Sequence, residues 1–202
     1  KEIFPPFEGR EEANLILGTD LLEHPEKAEG ANNIVIVGGG VVGCETAHWL
    51  AIEYGKHVTV LEMMPHFMTG VCTANRGHLL HYLEKAGVQL FNCTKVKALA
   101  KDGVYVEQNQ SSTVPDPYNT WQPLLPPNIP NPMEKTIKEE IVEKKIPADL
   151  IVLAMGGKAD ETFFFEAGEE HLAKEMYNIG DSSRAGRVLE AVRGAYHLAV
   201  RI

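Results

Sequence analysis

The stretch "NNIVIVGGGVVGCETAHWLA", residues 32–51, passes from a run of β-branched residues through three glycines into an amphipathic pattern. Ile34 to Val37 read as a buried strand, Gly38 to Gly40 as a turn, and the residues from Val41 as a helix. The helix sets Gly43, Ala47, Leu50, Ala51 and Tyr54 on one face. Gly38-x-Gly40-x-x-Gly43 therefore stands between a strand and a helix, the context that gives this spacing meaning. Gly38 permits the tight turn, Gly40 lets backbone approach a pyrophosphate, and Gly43 lets the helix lie close to the strand. Phosphate oxygens would meet free N–H groups at the positive end of the helix dipole. Gly39, Val41 and Val42 complete that turn.

Working outward, "KHVTVLE" is the next strand, and it ends at Glu62, nineteen residues after Gly43. A carboxylate there accepts hydrogen bonds from both ribose hydroxyls of an adenosine half and repels a 2′-phosphate. Met63, Met64 and Pro65 follow, with no arginine to receive such a phosphate. The pattern favours NAD(H) over NADP(H). Thr73 is placed to cap a second helix with Leu79, Leu80 and Leu83 inward, stopped by Gly87. "VQLF" is a third strand. This alternation argues for an α/β fold with a Rossmann-like, doubly wound parallel sheet.

Beyond it the pattern changes. "TKVKALAKDGVYVEQ" reads as a hairpin around Lys101, Asp102 and Gly103, and "EEIVEKKIPAD" supplies a third strand of an antiparallel β-meander. Between them, Pro115 to Pro132 carries 7 of the 12 prolines, so an insertion at 110–133 is extended loop. Tyr118 and Trp121 pin it or cover a partner. "ADLIVLAMGG" is another buried strand meeting glycines. In the closing segment, Val188, Ala191, Val192, Ala195, Ala199 and Ile202 share one helical face.

Composition bounds the rest. The 202 residues are 44% hydrophobic and 23% charged, with 19 basic and 28 acidic side chains and a net charge of −9. That balance disfavours nucleic acid or an anionic membrane as partner. No apolar run is long enough to span a bilayer. Cys44, Cys72 and Cys93 lie far apart, which points to a reducing cytoplasm and supplies no four-thiolate cluster site. Cys44 falls in a helix's first turn, where a thiolate would be stabilised, though packing under the glycine turn explains it more simply. His78 and His81 are one helical turn apart but lack a third ligand, so no metal site is assigned. No catalytic acid–base or nucleophile arrangement can be read from spacing.

Four stretches, "IVIVGGGVVGCETAHWLA", "VTVLEMMP", "ADLIVLAMGG" and "IGDSSRAGRVLEAVRGAYHLA", resemble the C-terminal region of the iron–sulfur flavoenzymes related to old yellow enzyme. That group includes 2,4-dienoyl-CoA reductase, enoate reductase, trimethylamine dehydrogenase and NADH oxidases. The chain is more remotely similar to the flavoprotein disulfide reductases. The resemblance implies an FAD domain interrupted by an NAD(H) domain, with FMN, a 4Fe-4S cluster and a flavin barrel elsewhere in a longer polypeptide. It implies that Gly38, Gly40 and Gly43 form the nicotinamide-side fingerprint, that Glu45 lies near the nicotinamide half and that Gly156 lines the dinucleotide cleft. It also implies that Asp181 hydrogen-bonds the FAD ribityl chain. On this basis residues 1–31 are a lead-in from the FAD domain, 32–157 the NAD(H) domain, and 158–202 the returning C-terminal piece of the FAD domain.

The chain departs from the group at "LAMGG", where an alanine-threonine-glycine triplet is common, and it has no FAD fingerprint of its own. It is therefore expected to be a fragment that binds NADH, meets the remainder of its own polypeptide and turns over nothing alone. Two other readings stay open: the nucleotide domain of a disulfide-reductase relative, and a stand-alone NAD(H)-sensing module.

Overall fold

The computed structural model describes residues 1–202 apart from Leu124 and Pro127. At those two positions the loop expected over 110–133 lies outside the described residues. The chain forms two compact units, Phe4–Met155 and Lys1–Ile3 with Gly156–Ile202.

The larger unit is built on a parallel sheet of five strands: β1 (Leu15–Leu17), β2 (Asn33–Val37), β3 (His57–Leu61), β4 (Gln89–Phe91) and β8 (Leu150–Leu153), in the order β1-β8-β2-β3-β4. Helices α1 (Gly18–Glu23), α2 (Val41–Glu53) and α3 (Thr73–Lys85) follow β1, β2 and β3. Strand alternation explains the unbroken apolar run of β2. Ile34 and Ile36 pack with Ala47, Leu50 and Leu80 of the helical layer, while Val35 and Val37 pack on the opposite face. There, β5 (Thr94–Ala100), β6 (Gly103–Asn109) and β7 (Ile141–Pro147) form an antiparallel sheet whose Leu99, Val104, Val106 and Ile146 complete the second core. Both faces of the parallel sheet are thus covered, as strands without polar alternation require. The Lys-Asp-Gly hairpin and the third strand of the meander form as read from the sequence.

The structure adds one strand and corrects one helix cap. β1 lies in the segment read as lead-in and pairs in parallel with β8; three residues are too few for a periodic signal. Thr73 is the first residue of α3 rather than its cap, since Cys72 occupies that position without a side-chain hydrogen bond. The apolar residues that share one face of the last helix are largely exposed.

That helix, α5 (Val188–Ala199), and α4 (Thr162–Glu169) belong to the smaller unit. Ala191, Gly194 and Leu198 are its partly covered positions, whereas Val188 and Ile202 are 80% and 77% exposed. Ala167 is the one buried apolar residue described in 156–202. A unit this small has too little chain to enclose a core and also cover a second helical face.

Candidate nucleotide site

The turn after β2 is shaped by what its glycines exclude. Gly38 has φ +115°, and a Cβ there would stand 2.3 Å from the Ala154 carbonyl oxygen. A Cβ on Gly43 would meet the Gly38 carbonyl oxygen at 2.0 Å, so α2 reaches the strand end only because this residue is glycine. Gly40 differs. It is exposed, and nothing lies within 4 Å of where its Cβ would point. The turn is therefore tight on its inner side and open above Gly40.

The helix entering from Gly40 has no side-chain cap and no acidic residue in its first turn. Its first-turn N–H groups and positive dipole end are thus met by no side chain of the helix's own cap or first turn. Glu62 fixes the other side. Its Oε2 accepts the Gly39 N–H at 2.8 Å and its Oε1 the Met64 N–H at 2.8 Å. Each carboxylate oxygen retains a lone pair for a further donor. Met63 is 63% exposed beside it.

Gly38, Gly39, Gly40, Val41, Val42, Gly43, Glu62 and Met63 all lie in the larger unit, on the turn, the first turn of α2 or the end of β3. Glu45 is exposed on α2. Gly156 (φ +81°, exposed) and Asp181 belong to the smaller unit. Asp181 is exposed and accepts the Gly186 N–H at 3.1 Å through Oδ1.

Cys44 is fully buried, and its Sγ donates to the Gly39 carbonyl at 3.6 Å. Burial, aided by nearby Glu62, pushes the thiol up to about 12, while Arg76 opposes the shift. It is a neutral packing group. His78 and His81 are exposed around the Tyr82 ring, and the described residues hold no cluster of three metal-ligating side chains.

Phe67 and Arg76 were not singled out by the sequence. The Phe67 ring packs so tightly on Gly39 that a Cβ there would come within 2.4 Å of it. Met68 donates its N–H to the Gly39 carbonyl at 2.8 Å. Arg76, buried on α3, donates from Nε to the Phe67 carbonyl at 2.9 Å. Only the phenylalanine could have been found, as an apolar residue soon after a strand-end acid.

A Rossmann-like sheet with this turn defines a dinucleotide-binding class of protein. The chain belongs to the pyridine nucleotide-disulphide oxidoreductase family, which matches residues 2–185. It is 28% identical over 195 residues to bilirubin reductase of Mediterraneibacter gnavus, covering 96% of this chain and 25% of that protein. NADH oxidase of Thermoanaerobacter brockii is 24% identical over 202 residues, 99% of this chain and 26% of the oxidase. The solved complex of 2-naphthoyl-CoA reductase with 2-naphthoyl-CoA superposes with a TM-score of 0.75 at 25% identity, over 100% of this chain and 26% of that one. The chain thus spans about a quarter of the length of the relatives it matches. The resemblance drawn from the four stretches is borne out. Family membership implies FAD and NAD(P) as cofactors. No described helix is long and apolar enough to cross a membrane.

Proposed function

We propose that this chain is the NAD(H)-binding region of an NADH-dependent flavin oxidoreductase. In the whole protein, hydride passes from NADH to FAD and on through an iron–sulfur cluster and FMN to an unsaturated substrate. One observation carries the nucleotide half of this reading. A glycine turn sealed beneath by Ala154 and Gly38 and open above Gly40 stands beside an acid bonded to that turn. Gly38 to Gly43 hold the pyrophosphate through backbone donors, and Glu62, flanked by Met63, receives the adenosine ribose hydroxyls.

Glu45 and Gly156 are assigned to the nicotinamide side, and Asp181 to the FAD ribityl chain. The division into 1–31, 32–157 and 158–202, with an insertion at 110–133, belongs to the same proposal. So does a cytoplasmic location, consistent with three unpaired cysteines. The cofactors supply the redox chemistry, and the protein's task is to bind and orient them. No protein acid or base is required for hydride transfer.

Bilirubin and 2-naphthoyl-CoA, named for two of the relatives, are both conjugated molecules, which supports an unsaturated final acceptor. The exposed apolar face of α5 supports contact with the remainder of a larger polypeptide. Calorimetric titration with NADH and NADPH, on this chain and on Glu62→Gln, tests the reading. NADH binds with preference over NADPH, and the substitution weakens NADH about 10-fold while narrowing the preference. Equal affinity for both nucleotides in both proteins would remove Glu62 from the site.

A further inference from the structure

The segment rich in proline is tied to the nucleotide turn by two buried polar side chains. The loop joining β3 to α3 carries Glu62 and Phe67 and grips Gly39 through the contacts described above. From the start of the meander, Asn92 sends Nδ2 to two carbonyls at once: Pro65 of that loop at 2.7 Å, and Pro115 of the proline-rich segment at 2.9 Å. From α3, Arg76 does the same a few residues further along. Its Nε donates to the Phe67 carbonyl and its Nη1 to the Asn119 carbonyl, both at 2.9 Å.

Two unrelated side chains, 4% and 2% exposed, therefore bracket the same pair of segments. Tyr118 closes the bracket: its hydroxyl donates to the Val88 carbonyl at 2.6 Å and accepts the Leu90 N–H at 3.2 Å. Gly77 lets α3 come in under Thr120, whose carbonyl oxygen would be 3.3 Å from a Cβ there.

Arg76 needs a reason. A buried guanidinium is expensive to desolvate, and among the described residues it has no carboxylate partner. What a lysine or an apolar residue cannot reproduce is the planar fork that reaches two carbonyls on separate segments.

We propose that Arg76 and Asn92 are positioning residues for the nucleotide. They clamp the 62–68 loop against residues 115–120, and so hold the Glu62 carboxylate where the adenosine ribose must meet it. Residues 115–120 are then the outer wall of the cofactor site's adenosine side, and they act through these two side chains. This rests on the nucleotide reading given above.

The test uses the whole chain, with NADH and NADPH affinities measured for Arg76→Met, Arg76→Lys and Asn92→Leu. Loosening Glu62 raises the NADH Kd about 10-fold in Arg76→Met and Asn92→Leu. It also lowers the NADPH-to-NADH Kd ratio at least about threefold, since that ratio depends on where Glu62 stands. General destabilisation would leave the ratio alone. Arg76→Lys recovers part of both. Unchanged affinity and ratio in folded variants overturn the proposal.

Amide exchange on the unsubstituted chain needs no variant to fold. Saturating NADH slows exchange at Met64 and Met68 and also at Tyr118, Asn119 and Trp121, whose N–H groups bond within the segment. Slowing at the turn with none at residues 118–121 refutes the clamp. A flat NADH titration of the unsubstituted chain overturns the nucleotide reading, and this proposal with it.

Discussion

Substituting alanine at Gly40 and at Gly43 separates cofactor binding from packing within one motif. At Gly43 the new Cβ would sit 2.0 Å from the Gly38 carbonyl oxygen, where ordinary contact begins at 3.4 Å, and 3.3 Å from the Ala154 Cβ. That oxygen is backbone and cannot swing aside, so α2 must back away from the strand end. Overpacking of this severity costs about 3 kcal/mol. Alanine's better helix propensity returns about 1 kcal/mol, leaving a net loss of about 2 kcal/mol. For a chain of this size that lowers Tm by roughly 4–8 °C.

At Gly40 the Cβ meets nothing within 4 Å, and the backbone at φ −72° and ψ −174° suits any residue. Losing glycine at a helix N-cap costs about 0.5 kcal/mol, a Tm change of about 1–2 °C. On the proposed reading, however, the added methyl stands where the phosphates approach the first-turn N–H groups. Forfeiting one charge-assisted hydrogen bond weakens NADH binding by about 10–100-fold. Differential scanning calorimetry and NADH titration on both variants read the two effects. A Gly40→Ala chain that binds NADH normally, or that melts as early as Gly43→Ala, would refute the division of labour.

Three further outcomes are expected. Because burial holds the Cys44 thiol up to about 12 against an ordinary 9.0, the folded state keeps a proton that the unfolded chain gives up. Stability should therefore fall by about 1.4 kcal/mol per pH unit between those values, and Cys44→Ala should flatten that slope in alkaline denaturation curves. Asp149 Oδ2 accepts the N–H groups of Asn32 and Asn33, which hold its carboxyl below the ordinary 3.8. Its stabilisation is present above that value and lost as pH falls through the lowered one, so the Tm gap between parent and Asp149→Ala should close in acid. Glu62→Ala removes two charge-assisted bonds to Gly39 and Met64. It should cost about 2 kcal/mol in urea unfolding even without nucleotide.

The legible parts were those whose signal is local. Ile34 to Gly43 announce strand, turn and helix within a dozen residues, and Lys101-Asp102-Gly103 marks its hairpin in three. β1 was hidden because Leu15–Leu17 has meaning only beside β8, its partner from the far end of the unit. The clamp was hidden for a different reason. Arg76 and Asn92 bond to carbonyls of Pro65, Phe67, Pro115 and Asn119, and any residue type supplies a carbonyl. The stripe on α5 was read correctly as apolar, but periodicity says which face is greasy and not what covers it. Of Tyr118 and Trp121, expected to pin the insertion or cover a partner, Tyr118 pins it through its hydroxyl at Val88 and Leu90, whereas Trp121 is 56% exposed.

The central claim is that the Gly38–Gly43 turn receives the phosphates of NADH. Amide chemical shifts followed during an NADH titration test it at the atoms concerned. Saturable shifts of the Gly39, Gly40, Val41 and Val42 N–H signals, at one common affinity, are what the geometry predicts. Saturable shifts confined to other residues, with these four unmoved, would contradict it.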